Sequence, residues 1–270
     1  VENEKKYLIF LNPKLKELKT KDIQNIAKNS LIKEIIKQKE LKKIFDISKN
    51  YDFIDNIEKN LLLKKNIKSK DEFIIFLNSN GLDYNQIRNK LKIEALWNQL
   101  VYKKYSKNVK FNKELMRVRI VDQIKNSKKK YKYNLSEIVF EEKINEKHNE
   151  TVKKINESIK NIGFENTANI LSISSTSKNG GLIGWINELQ ISEKIKKKIV
   201  ILKINEFTEP IKIPNGYLII KLNNKEELVQ KINVDDELKK LIEYEKNKQL
   251  NNFSIIFYKR LKQNSIINEY

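Results

Sequence analysis

The chain has a single histidine, His148, and no cysteine. That leaves little room for a histidine metal cluster or a Ser-His-Asp triad, and it removes thiolate chemistry and disulfides altogether. What stands out instead is glycine. Of six glycines in 270 residues, Gly180, Gly181 and Gly184 fall in SKNGGLIGW (177–185), which closes on Trp185. Glycine does no chemistry. It lets a backbone turn sharply and approach a neighbour in conformations that a Cβ forbids. A polar, hydroxyl-rich run, SISSTSKNGG (172–181), leads into this turn. The cluster therefore marks a shaped site or a tight structural turn.

The elements around it change character along the chain. The first 125 residues read as helices. Thr20 precedes Ile23, Ile26, Ala27, Leu31 and Ile35 at helical spacing. Ser69 with Glu72, and Asp83 with Gln86, form capping-box patterns, and Gly81 fits the helix end between them. The helix from Asp83 carries Ile87, Leu91, Ala95, Trp97, Leu100 and Val101 on more than one face, as the central helix of a bundle would. A further helix runs from Lys113 to about Lys125. NSKKKYKYN (126–134) has no helical stripe and reads as a linker.

Beyond it, LSEIVF (135–140) is a strand, a helix near 150–161 ends at Gly163, and a second begins at Phe164. ELQISEKIKKKIVIL (188–202) reads as a further helix, and EPIKIPNGYLIIKL (209–222) as a hairpin turning at Asn215-Gly216. This β-α-α-α-β-β order predicts an α+β module. Residues from Asp235 return to helix, with FSIIFYKRL (253–261) open to helix or strand. This segment is too short for its own core. The expectation is a discontinuous helical domain, 1–128 with 232–270, into which 133–226 is inserted.

Net charge is +20. Residues 131–226 carry 15 Lys/Arg against 12 Asp/Glu, net +3, so +17 lies on the helical remainder. The excess is spread rather than clustered, and Lys, Asn and Ile dominate throughout, as AT-rich coding produces. No nucleic-acid-reading motif is present, and no run approaches the ~18 apolar residues of a membrane helix. The chain opens on Val1 rather than Met, as a trimmed fragment would.

NGGLIGW followed by EPIKIPNGYLIIKL resembles the parvulin family of peptidyl-prolyl isomerases, over residues 133–224. That family carries a GG-x-(L/M)-G-(W/F) turn, a helix and a P(V/I)…G(F/Y)HII(K) hairpin. The flanks, GLDYNQIRNKLKIEALWNQLV (81–101) and YNLSEIVF (133–140), resemble SurA-like periplasmic chaperones with room for one parvulin module. The resemblance implies that Gly180, Gly181 and Gly184 turn beside the sheet, with Trp185 covering the turn's edge. It places the first family histidine at Glu137, the Cys/Asp position at Ser174 and the final histidine at Leu218. The apolar pocket positions fall on Ile191 and Ile195, on the intervening helix.

Both histidines are thus replaced, and no Asp occurs between 131 and 226. Prolyl isomerisation needs no covalent step, only a site that binds the twisted amide better than the planar one. Without its imidazoles the site is expected to be weak or inactive, with Glu137 facing Leu218. A glutamate there is expected to stand partly buried and without a partner. An active variant would use Glu137 as its polar group and Ser174 as a hydroxyl donor. His148, in EKHNE, is assigned to solvent. The resemblance implies no cofactor, no metal, no nucleic acid and no stable membrane insertion. It implies a periplasmic holdase for unfolded outer-membrane proteins, with an active isomerase as the alternative. Tyr7, Phe10, Phe73, Phe76, Trp97, Tyr102, Phe253 and Phe257 are the aromatic side chains available to hold clients, although most suit a core.

Overall fold

A computed structural model describes residues 1–64, 66–126, 131–141, 148–214, 216–228 and 233–266. The chain divides into two compact units, Val1–Ser106 with Phe253–Tyr270, and Lys107–Asn252. The expected boundaries near 128 and 232 fall inside the second unit. Among the described residues, no helix is long and apolar enough to cross a membrane.

The first unit is helical: α1 (Glu2–Leu11), α2 (Thr20–Leu41), α3 (Phe53–Lys64), α4 (Lys70–Ser79) and α5 (Tyr84–Tyr105). Its caps follow from local chemistry. Ser69 Oγ accepts from the Glu72 N–H at 3.1 Å, and Asp83 accepts from the Gln86 N–H at 2.8 Å. Glu72 reaches past the cap to the Lys68 N–H, so this box is not fully reciprocal. Gly81 takes φ +66 after α4, and the Leu82 N–H bonds to the Leu77 carbonyl at 3.0 Å, as a left-handed helix end requires.

The centre of this unit is α5, packed on α2, α3 and α4. It buries Ile87, Ile93, Leu96, Trp97, Leu100 and Val101. Trp97 donates its indole N–H to Ser254 Oγ at 2.8 Å and stacks on Phe257 at 5.2 Å. Tyr7, Phe10, Phe73, Trp97 and Phe257 are core, and Phe253 is half-buried and stacked on Tyr105. Only Phe76 and Tyr102 of the eight candidate aromatics are exposed.

The second unit holds α6 (Lys113–Asn126), β1 (Tyr131–Phe140), α7 (His148–Leu171), β2 (Leu182–Asn187), α8 (Glu193–Ile199), β3 (Ile211–Ile213), β4 (Gly216–Glu227) and the start of α9 (Val234–Gln263). The four strands form one antiparallel sheet in the order β2-β1-β4-β3. The fold class is α+β. FSIIFYKRL lies in α9 and is helical throughout.

Several local expectations are corrected. β1 begins at Tyr131, so half of the expected linker is strand; 127–130 lie outside the described residues. The reason is alternation: Tyr133 and Leu135 bury on the face that carries the core, and Tyr131 packs beside them. β2 was expected as part of a turn and is instead an edge strand paired with β1. The run 188–202 is helical only over Glu193–Ile199, after a 3₁₀ turn at Glu188–Gln190. The two helices expected about Gly163 are found as expected: α7 is two helical segments that meet at that residue, where φ is +81. Asn215 of the expected hairpin turn lies outside the described residues, whereas Gly216 takes φ +124.

The sheet buries both faces. Ile138, Phe140 and Ile219 pack with Ile155, Phe164 and Ala168 of α7. The other face buries Tyr133, Leu135, Val139, Leu218, Ile220 and Leu222 with Ile186, Ile191 and Ile199. α6, the start of α9 and the 188–190 turn join through Ile120, Leu189 and Leu241.

Candidate functional site

The glycine turn sits against the middle of β1. Gly180 and Gly181 both take left-handed backbone, φ +63 and +76. A Cβ on Gly181 would lie 2.2 Å from the Glu137 carbonyl oxygen, and one on Gly180 would lie 2.9 Å from Glu165 Cβ. Close approach is what these glycines supply. It lets the Glu137 N–H donate to the Gly181 carbonyl at 2.8 Å, and the Gly181 N–H to the Thr176 carbonyl at 2.9 Å. Gly184, φ +92, lies in β2 with open space where a Cβ would be. Trp185 is exposed, and its ring receives the Lys132 ammonium at 4.6 Å from the centroid.

The turn delivers hydroxyls to Glu137. Ser174 is buried, and its Oγ donates to Glu137 Oε1 at 2.6 Å. Thr176 Oγ1 donates to the same oxygen at 3.0 Å and lies 3.0 Å from Ser174 Oγ. Glu137 is therefore not partnerless. Thr176 was not singled out in the sequence; the signal that could have found it is the hydroxyl-rich run itself.

Leu218 shares the face of Glu137 but does not pair with it directly. Glu137 stands opposite Ile220 and Leu218 opposite Val139, a diagonal relationship one step along the ladder. Ile191 is buried in the same cluster, just before α8 rather than on it, and Ile195 packs on the cluster from α8. The Arg119 guanidinium of α6 donates to the Ile191 carbonyl, and Asn187 Nδ2 to Glu237 of α9 at 3.0 Å. The segment bearing the apolar positions is thus tied to α6 and α9.

Tyr244 of α9 also packs on this cluster. Burial first, then the Glu137 and Glu245 carboxylates, push its phenol up to about 12. Nothing in the local pattern around Tyr244 signals this contact. The His148 side chain lies outside the described residues. Among the described residues, no group of three or more His, Asp or Glu is placed to hold a metal.

These observations describe a buried aliphatic cluster with one polar corner, on the sheet face opposite α7. Residues 120–224 match the family model Rotamase: PPIC-type PPIASE domain, so the chain carries a parvulin-type module. No curated protein sequence matches the chain. Among solved structures it is similar to the peptidylprolyl isomerase PrsA from Bacillus anthracis, at 19% identity over 88% of this chain and 98% of that one, with a TM-score of 0.34. It is similar to a PpiC-type peptidyl-prolyl cis-trans isomerase domain at 27% identity over 36% of this chain and 93% of that one, TM-score 0.32. A third likeness is to a structure from the study of PEB4 and the periplasmic protein Cj1289, two SurA-like chaperones of Campylobacter jejuni. Identity is 19% over 84% of this chain and 90% of that one, TM-score 0.32.

Proposed function

We propose that the chain is a periplasmic chaperone that holds unfolded outer-membrane proteins, and that its parvulin module is weakly active or inactive as an isomerase. The observation that carries this reading is the state of the pocket. The two imidazole positions hold Glu137 and Leu218, and Glu137 Oε1 already accepts two internal hydroxyls. A prolyl amide brought to this face would meet a carboxylate whose oxygen is already bonded and few other free polar groups to favour its twisted form. What remains is a surface that can bind chain without turning it over.

The helical unit supports the same reading. Ile35, Leu63, Ile75, Phe76 and Tyr102 are large apolar side chains left in water there. Exposed apolar groups of this kind suit low-specificity contact with unfolded segments. The +17 outside 131–226 would draw acidic clients from a distance.

The test is suppression of aggregation of an unfolded β-barrel protein, repeated across salt. Charge attraction weakens with salt and apolar burial does not. Aromatic-rich peptides should remain bound at about 0.5 M salt. Complete loss of binding there, with duplex DNA competing equally well, makes the protein a polyanion binder and removes the chaperone assignment. The alternative, an active isomerase, draws on the intact Glu137–Ser174–Thr176 cluster; turnover of a short prolyl peptide in a protease-coupled assay separates the two.

A further inference from the structure

Ten consecutive residues of the second unit, KIKKKIVILK (194–203), are five lysines and five aliphatic residues. Folding sorts the aliphatic ones. Ile199 is buried, and Ile195 and Leu202 are half-buried against the sheet core. Val200 and Ile201 are not: they are 48% and 76% exposed, and Ile204, one turn further on, is 53% exposed.

These three side chains are held in water by backbone fixed at both ends. At one end the Leu202 N–H bonds to the Ile199 carbonyl at 3.0 Å. At the other the Asn205 N–H bonds to the Leu222 carbonyl at 2.7 Å, and the Thr208 N–H to the Ile220 carbonyl at 2.9 Å, both on β4. Lys197, Lys198 and Lys203 are exposed around them and Lys196 is partly so. Among the described residues, none of these four ammonium groups has an ion-pair or hydrogen-bond partner. Lys194 donates to the Lys212 carbonyl at 3.2 Å. Of the nearby carboxylates, Glu193 accepts from Gln123, Glu206 accepts from the Lys203 backbone N–H, and Glu209 is exposed.

The combination selects a partner. Nucleic acid would use the lysines and leave three aliphatic side chains in water. An apolar peptide would use the aliphatic side chains and leave the lysines idle. An anionic bilayer uses both: ammonium groups sit at the level of the phosphates while short aliphatic side chains reach the acyl boundary. We propose that the surface formed by Lys196–Lys198, Val200, Ile201, Lys203 and Ile204 docks on an anionic lipid membrane.

Co-sedimentation of the full chain with vesicles tests this, comparing phosphatidylcholine alone with phosphatidylcholine and phosphatidylglycerol at about 7:3. Binding is expected only to the anionic vesicles. Ile201→Ser should weaken it about tenfold, and Lys197→Gln with Lys198→Gln about fivefold per lysine removed. Both sites are exposed, so the fold should survive, which circular dichroism checks. Because the chain lacks cysteine, Ile201→Cys also gives a single site for an environment-sensitive dye. Its emission should shift to the blue on anionic vesicles, whereas a dye at Ile35→Cys, exposed in the first unit, should not shift. The proposal is overturned if anionic vesicles do not bind, if Ile201→Ser binds as the parent does, or if both dyes shift alike. It is equally overturned if an unfolded polypeptide displaces the vesicles from this surface with the same dependence on Ile201.

Discussion

Ser174 Oγ lies 2.6 Å from Glu137 Oε1 and donates to it, across 37 residues of chain. The bond joins the two polar residues that the proposed reading sets at family pocket positions, and Thr176 adds a second donor to the same oxygen. Both hydroxyls are spent on the Glu137 carboxylate; on the proposed reading, in which Glu137 takes an imidazole position, they are not offered to substrate. Removing one should cost stability before it costs catalysis.

The first prediction follows. Ser174→Ala should destabilise the second unit by about 1.5–3 kcal/mol, the range for a hydrogen bond to a carboxylate, read by urea unfolding. In a protease-coupled assay on a short prolyl peptide, the parent chain should run close to the uncatalysed rate. Turnover comparable to a standard parvulin, abolished by Glu137→Ala, would instead identify a working site with altered chemistry.

The glycines differ in what they tolerate. Gly181→Ala places a Cβ 2.2 Å from the Glu137 carbonyl oxygen and 3.0 Å from Ala168 Cβ, at φ +76. Backbone must move, and the move pulls on the Glu137–Gly181 hydrogen bond that sets the site. A loss of at least about 3 kcal/mol is expected, or failure of the second unit to fold. Gly184→Ala meets nothing within 4 Å. It should carry only the cost of a positive φ, about 1–2 kcal/mol. Thermal unfolding of the two variants side by side checks the difference; equal losses would mean that backbone strain, not the approach to β1, governs both.

How much of this was legible follows the range of the interactions. Ser69, Asp83 and Gly81 act within one helical turn, and their roles are readable from spacing. The Asp83–Tyr105 pattern announces a helix buried on several sides, and α5 is that helix. β2 is hard to read because LIGWIN, despite Ile183, Trp185 and Ile186, buries only Ile186 and has glycine at its centre, so it shows no alternation. Tyr131–Asn134 looked like linker because its lysine sits on the solvated side of a strand. Glu137, Ser174 and Leu218 stand out only through resemblance, since nothing in their local spacing marks them. The bond between the first two depends on how far the glycine turn folds back. Tyr244 reaches the same cluster from α9, a tertiary contact that no local pattern encodes.

That contact has a signature at high pH. The Tyr244 phenol is pushed up to about 12 by burial and by Glu137 and Glu245, and Tyr133 is pushed up to about 12 by burial, Glu188 and Tyr131. Each holds its proton more tightly folded than unfolded. The stability that each contributes is present below the unfolded value near 10 and is lost as pH rises from there towards about 12. Urea unfolding from about pH 9 to about pH 11 should show stability falling, and Tyr244→Phe should flatten part of the fall while leaving the Tyr133 share. An unchanged slope in Tyr244→Phe would place Tyr244 in water.

The helical unit has its own buried charge, and it supplies the last prediction. Lys90 of α5 contacts Glu4 of α1 at 2.6 Å and also Glu34 of α2. Ser30 donates to Glu4 at 2.6 Å, and the Lys90 ammonium lies 5.0 Å from the centre of the Tyr7 ring. Burial works against the charged lysine, yet its bonds to Glu34 and Glu4 outweigh that and raise its pKa. Glu4 is only 3% exposed, so its carboxylate depends on Lys90 and Ser30 for compensation. Lys90→Met keeps much of the side-chain volume but removes the cation, leaving a buried carboxylate with one hydroxyl. Breaking a buried pair in this way costs about 3–5 kcal/mol, more than deleting a surface pair, which costs at most about 1 kcal/mol. Lys43→Met, whose ammonium is exposed and whose partner Glu40 lies three residues back, is the control. Adding Glu4→Gln to Lys90→Met should return part of the loss, because the amide no longer carries a buried charge. If Lys90→Met costs no more than Lys43→Met in urea unfolding, the cluster is solvated in solution and does not hold α1, α2 and α5 together.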